Sequence, residues 1–301
     1  MLLYWTFVIG TTLARVVPLR LSYAIARAVG VATYYAWPGG RRRCVQNLRH
    51  VTGGDTVEAR RIARASFANY IVYLVDFFRL IGSTREEFAG RVVSDEWDSV
   101  ALEGNGHGIV AMTLHYGNWD LGAVLIAQHG RGVAAIADRF ASPRVEEFVL
   151  GSRRHLGMTI IPADHVGPGL LRALRRDEVV AVLIDIPAPG SGVPVTFFGD
   201  TIVVSDGAAR LALRTGARVV AGLVVRDQPW DERVRAEASP IDFTPTGDEA
   251  GDARALMQAV FTHLEHRVRR DPAQWYIFRN LWPSDVRGTT RLRTPHASRG
   301  A

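Results

Sequence analysis

Residues 109–127 constrain this chain more than any other stretch. Ile109–Leu114 is an unbroken apolar run, Leu121–Ala127 is a second, largely apolar one, and His115-Tyr116-Gly117-Asn118-Trp119-Asp120 lies between them. The two runs bury themselves, so the joint between them is free to be polar and to face outward. The stretch therefore reads as strand, tight turn, helix. Gly117 gives the turn its backbone freedom, and Asn118 is the expected helix cap. Asp120 then falls in the first helical turn, where the helix dipole favours an ionised carboxylate.

His115 and Asp120 are too far apart in sequence for one regular helical contact, but a strand-to-helix turn can fold them together. A carboxylate on one imidazole nitrogen fixes the tautomer and leaves the other nitrogen as a base. Such a pair suits proton removal from an alcohol, a step that contributes about 10²–10⁴-fold to a rate. The same spacing also occurs where a histidine merely caps or packs. The intervening Gly-Asn-Trp makes the pattern far more specific.

From Arg91 onward, apolar runs at Gly108–Leu114, Val133–Ala137, Thr159–Ile161, Val179–Ile184 and Arg218–Val225 alternate with helical patterns. This predicts an α/β fold with a central mixed or mostly parallel sheet flanked by helices. Ligands of such sheets bind outside the carboxyl ends of strands, where the His115 turn sits. Ser142-Pro143 reads as cap and first position of a helix that Gly157 stops. Val179–Ile184 ends at Asp185, whose carboxylate is placed to orient a hydroxyl or an arginine.

His115-x-Gly117-Asn118-Trp119-Asp120 resembles the signature of the bacterial lipid A and phosphatidylinositol mannoside acyltransferases, within the wider glycerophosphate-acyltransferase-like group with its H-x4-D/E motif. Further blocks extend the resemblance over most of the chain: Gln46-Asn47-Leu48, Arg139, Arg153-x-x-x-Gly157, Asp185, Phe197-Phe198-Gly199 and Pro272-Ala273-Gln274-Trp275-Tyr276. Asp120, where lipid A enzymes usually carry Glu, favours the mannoside branch; that branch has Glu where this chain has Asp185. The resemblance implies direct transfer of a fatty acyl chain from acyl-CoA or acyl carrier protein to a hydroxyl of a glycolipid. Lipid A is the alternative acceptor. It implies His115 and Asp120 as catalytic residues, Asn118, Trp119, Arg139, Arg153 and Asp185 as substrate-binding residues, and neither metal nor cofactor. Arg139 and Arg153 are the expected phosphate clamps.

The ends of the chain add a membrane reading. Residues 1–80 are expected to form an N-terminal helical, membrane-associating segment, 81–283 the α/β core, and 284–301 a disordered tail. Met1–Ala14 is apolar and uncharged but short for a span of about 20 residues. Its positive charge follows the run, where a secretory signal would have it precede. An interfacial helix on the cytoplasmic face of the inner membrane is the expectation. Trp37-Pro38-Gly39-Gly40 breaks the pattern before Arg41-Arg42-Arg43, a contact for an anionic membrane surface. Thr56–Ile81 reads as one long helix, basic first and then aromatic.

Composition narrows the alternatives. All 36 basic residues are Arg and the net charge is +6. The planar guanidinium fork suits phosphate, and the lipid reading makes nucleic acid an unneeded partner. The single cysteine, Cys44, excludes an internal disulfide and a cysteine-based zinc cluster. Two other classes stay open: a thioester hydrolase using the same pair on water, and a non-enzymatic membrane-surface protein. The latter leaves the Gly-Asn-Trp turn unexplained.

Overall fold

The computed structural model describes residues 2–81, 83–88, 90–93, 106–137, 142–162, 166–188 and 190–285. Four helices lead: α1 (Leu2–Val16), α2 (Leu19–Ala36), α3 (Pro38–Val51) and α4 (Thr56–Leu80). Pro18 separates the first two. A single residue, Trp37, separates α2 from α3, so the expected break is shorter than its Pro-Gly-Gly sequence suggests. Pro38 takes the first helical position, where its missing N–H costs nothing. Gly40 packs flat on the Trp37 ring, and a Cβ there would come within 2.4 Å of it. Asp55 caps α4 by accepting from the N–H groups of Val57 and Glu58 at 2.8 and 3.1 Å.

The rest alternates strand and helix: α5 (Arg85–Phe88), β1 (Val92–Val93), β2 (Ile109–Thr113), α6 (Trp119–Gln128), β3 (Val133–Ala137), α7 (Pro143–His155), β4 (Met158–Pro162), α8 (Val166–Arg175), β5 (Val179–Leu183), β6 (Val193–Phe197), β7 (Asp200–Val204), α9 (Gly207–Thr215), β8 (Arg218–Val225), β9 (Val234–Pro240) and α10 (Glu249–Arg270). Seven strands form one sheet in the order β1-β9-β8-β2-β5-β3-β4. From β8 to β4 every neighbouring pair is parallel, whereas β9 runs antiparallel to β8. The expected α/β architecture with a mostly parallel, mixed sheet is the one found.

β2 lies at the centre, buried on both faces, which is why its sequence is an unbroken apolar run. Val110, Met112 and Leu114 face one core with side chains of α3, α4, α8, α9 and α10, while Ile109 and Ala111 face a second core under α6. β6 and β7 form a separate hairpin closed by Phe198 and Gly199, both at positive φ. That is the two-residue turn whose twist matches the strands. Phe198 is held there by its N–H, which donates to Glu265 Oε2 at 2.6 Å. Among the described residues, no helix is long and apolar enough to cross a membrane. Of the expected tail, residues 286–301 lie outside the described residues; Ser284 and Asp285 are helical.

Candidate active site

Sheet register builds the site. β2 and β5 pair in parallel with Thr113 opposite Leu183. Two residues further on, His115 and Asp185 therefore emerge side by side at the carboxyl edge. His115 Nδ1 lies 2.7 Å from Asp185 Oδ1, and the His115 backbone N–H donates to Asp185 Oδ2 at 3.0 Å. Trp275 Nε1 donates to the same Oδ2 at 3.0 Å. Asp185 is completely buried. Burial pushes its carboxyl pKa up, but the charge of His115 and the three hydrogen bonds outweigh it and hold the group below the ordinary carboxylate range. An ionised Asp185 thus fixes the proton on Nδ1 and leaves Nε2 without a protein partner among the described residues.

This corrects the expected pairing of His115 with Asp120. Asp120 stands in the first turn of α6, as expected, but its carboxylate turns to α7 and α4: Arg153 Nη2 donates to Oδ1 at 2.7 Å and Tyr73 Oη donates to Oδ2 at 2.8 Å. Arg153 is charged more firmly for the Asp120 contact, while burial and the Asp120 charge push the Tyr73 phenol far up. The Arg153 guanidinium also sits over the Phe77 ring, 5.7 Å from its centroid, and its buried Nε has no hydrogen-bond partner.

The turn between these residues is clamped from two sides. Gly117 has φ +61°, and a Cβ there would lie 1.8 Å from the Val224 carbonyl oxygen, so only glycine fits. Gly117 N–H donates to Gln274 O at 2.9 Å, Asn118 N–H to Val224 O at 2.9 Å, and Tyr276 N–H to His115 O at 2.7 Å. Asn118 caps α6 by accepting from Leu121 N–H at 3.2 Å and donates from Nδ2 to Asp76 at 3.0 Å. Both ends of its amide are therefore occupied by the fold, where a substrate contact was expected. Trp119 meets the His115 ring edge-on at 5.4 Å between centroids and packs on Tyr73 at 4.2 Å.

His115, Trp119, Asp120 and Arg153 line one cavity of about 230 Å³, whose remaining wall is apolar apart from Thr113 and includes Ala123, Ala135, Ile136 and Ala181. A second hollow shares Thr113, Trp119, Ala123 and Ala181 with it and runs beneath α6 past Gly122 and Gly222. Small residues on the helix and on strands β5, β2 and β8 open this space. Arg139, the other expected clamp, lies outside the described residues. Cys44 is fully buried on α3, its thiol pushed up to about 12 by burial, and takes no part in the cavity. Among the described residues, no three His, Cys, Asp or Glu side chains gather closely enough to hold a metal ion.

An imidazole with one nitrogen tied to a buried carboxylate and the other open to a largely apolar cavity is a base built to work on a hydroxyl beside a hydrocarbon chain. The sequence profile of the bacterial lipid A biosynthesis acyltransferases matches residues 1–284. The chain belongs to that family. Membership makes it an acyltransferase of lipid biosynthesis. Among its relatives are phosphatidylinositol mannoside acyltransferases. That of Mycolicibacterium smegmatis is 26% identical over 94% of this chain and 92% of its own length. That of Mycobacterium tuberculosis is 25% identical over 96% and 91%.

Several site residues escaped sequence reasoning. Asp76, fully buried on α4, accepts from Tyr23 Oη at 2.5 Å, Arg91 Nη2 at 2.9 Å and Asn118 Nδ2 at 3.0 Å, and from Arg226 Nη2. Its one signal is a lone acid in the apolar, aromatic half of α4, three residues after Tyr73. Trp275 stood in a block that only extended the resemblance; its N–H is in direct contact with the acid that orients the base.

Proposed function

We propose that the protein transfers a fatty acyl chain from an acyl thioester, of CoA or of acyl carrier protein, to a hydroxyl of a phosphatidylinositol mannoside type of glycolipid at a membrane surface. The observation that carries the reading is the His115–Asp185 pair opening on an apolar cavity. His115 Nε2 takes the proton of the acceptor hydroxyl, and Asp185 stabilises the imidazolium that forms. The alkoxide oxygen bonds to the thioester carbonyl carbon. As the intermediate collapses, the C–S bond breaks and the imidazolium returns its proton to the departing thiolate. The negative oxygen of the intermediate is balanced by the charge of the Arg153 guanidinium, which lines the cavity. Asp120 holds that guanidinium in place. The acyl chain occupies the cavity and its extension beneath α6.

Both curated relatives named above favour the mannoside acceptor over lipid A. The test is transfer by purified protein from radiolabelled palmitoyl-CoA. Acylated phosphatidylinositol mannoside is the expected product, with no labelling of a lipid A precursor. Thiol release that proceeds equally without glycolipid overturns the reading in favour of a hydrolase.

Association with the membrane rests on the outer faces of α1 and α2. Trp5, Ile9, Leu13 and Val16 are exposed on the first helix; Leu21, Ile25, Val29 and Tyr35 are exposed on the second. Every exposed residue between Leu21 and Trp37 is uncharged, with alanines filling the gaps. A contiguous apolar face of this kind marks an interaction surface, and a helix of this pattern lies in the plane of the lipid interface. Exposed Arg15 and Arg20 flank it, which adds attraction to anionic headgroups. The double substitution Ile25→Glu/Val29→Glu is expected to lower binding to anionic liposomes at least about tenfold in flotation assays. His115→Ala leaves that binding unchanged. Equal flotation of the double variant and wild type overturns the assignment.

A further inference from the structure

The loop between β8 and β9 holds an indole ring out in water. Trp230 is 63% exposed, more than any other tryptophan among the described residues. The chain that carries it is a closed turn. Asp231 N–H donates to Gln228 O at 3.0 Å, and Gln228 N–H donates to Asp231 Oδ2 at 2.9 Å. Arg226 Nη1 fastens the Asp231 carbonyl. Pro229 takes the second position of the turn, which its fixed φ suits, and Trp230 takes the third, at the tip.

The loop is also lashed to α2. Glu232 lies 3.4 Å from Arg20, and the Arg226 guanidinium sits over the Tyr23 ring, 4.9 Å from its centroid. Arg91 bridges the two contacts by donating to Tyr23 Oη at 2.9 Å and to Glu232 O at 3.1 Å. Trp230 is two residues from Glu232, so it stands at the Arg20 margin of the apolar face on which Leu21 and Ile25 are exposed. The charges near the ring are engaged: Asp227 pairs with Arg235, Glu232 with Arg20, and Arg226 with Asp76. Arg233 is exposed beside them.

A specific protein interface buries about 1,000 Å² or more, and one ring among engaged charges falls short of that. A lipid interface takes single tryptophans, the ring against the chains and the N–H among the headgroups. Exposed Arg20 and Arg233 add attraction to anionic headgroups. We propose that the β8–β9 loop is a second membrane contact, with Trp230 seated at the headgroup level of an anionic bilayer. This rests on the membrane reading of α1 and α2 above. It has a consequence for the reaction. A helical face alone leaves the protein free to roll on the surface, and a second point of contact fixes the roll. β8 runs parallel to β2, and its Val224 pairs with Gly117 of the turn that bears His115. The edge of the sheet turned toward the lipid is therefore the edge that carries the base.

The test labels the loop in the full-length protein. Cys44 is the one cysteine and is fully buried, its thiol pushed up to about 12, so Trp230→Cys adds the one thiol open to an environment-sensitive fluorophore. On phosphatidylglycerol vesicles the emission is expected to shift to the blue. Lipids brominated near the headgroup are expected to quench it more than lipids brominated at the chain end. Trp230→Ser is expected to float with such vesicles about fivefold less well than wild type; the side chain is exposed, so both variants keep the fold. A label that stays in water while the protein floats, or equal flotation of Trp230→Ser and wild type, overturns the loop contact and leaves the α1–α2 face standing. Wild type that does not float overturns the membrane reading and the loop contact with it. A shift that appears without vesicles and grows with protein concentration makes the loop a contact between copies and overturns the proposal.

Discussion

A folded His115→Ala protein is expected to transfer acyl groups about 10²–10⁴-fold more slowly than wild type, with little change in KM for either substrate. The loss falls on kcat because the imidazole acts on a proton in flight and contributes little to holding either lipid. The same assay separates the two carboxylates. Asp185→Asn removes the charge that fixes the Nδ1 tautomer and stabilises the imidazolium, so kcat falls by most of the His115→Ala loss. Asp120→Asn weakens the hold on Arg153 and lowers kcat by less. Trp275→Phe keeps the ring but removes the N–H on Asp185 Oδ2, and lowers kcat by less than Asp185→Asn does. If Asp120→Asn costs more than Asp185→Asn, the orienting role belongs to Asp120 after all. Stability carries a second signature. The folded-state pKa of Asp185 is depressed, so its contribution is present above the unfolded value near about 4 and is lost as pH falls through the lower, folded value. Asp185→Asn therefore flattens the acid limb of the stability curve.

That partner switch also shows how far a one-dimensional reading reaches. The five strands expected from apolar runs all appear; β2, at the centre and buried on both faces, carries the unbroken hydrophobic sequence that such burial requires. β9 went unread. Its Arg235 and Glu237 bond to each other and give the segment a polar look, although Val234, Ala236 and Ala238 are buried. His115 and Asp120 are neighbours in sequence and invited a pair. His115 and Asp185 are neighbours only because β5 crosses back to lie beside β2, with β3 and β4 placed outside it. Strand order is set by tertiary packing, and no local pattern records it. The apolar side of the site was legible in the apolar runs on either side of the turn, whereas its polar support comes from segments that meet only after folding.

Asp76 is the sharpest case of such support, and its removal is expected to have the largest effect on stability. Five segments converge on this one carboxylate: α2 through Tyr23, α4 itself, the chain before β1 through Arg91, the end of β8 through Arg226, and the cap of α6 through Asn118. Asp76→Ala leaves two guanidiniums facing a vacated site while most of each remains out of water; their side chains are only 16% and 11% exposed. Breaking a buried pair in this way costs about 3–5 kcal/mol, because the surviving charge keeps its desolvation penalty and loses the attraction that offset it. Here one acid faces two bases, so the upper part of that range is expected in urea or thermal denaturation. Asp76→Asn keeps the shape but turns an amide N–H toward groups that are themselves donors, so it recovers little of the loss. Catalysis responds too. Asn118 loses the partner on its Nδ2, the cap of α6 loosens, and the turn bearing His115 loses one of its anchors, so kcat falls in protein that is still folded. A cost below about 1 kcal/mol identifies the cluster as solvent-screened and removes the reason for a buried acid in the apolar half of α4.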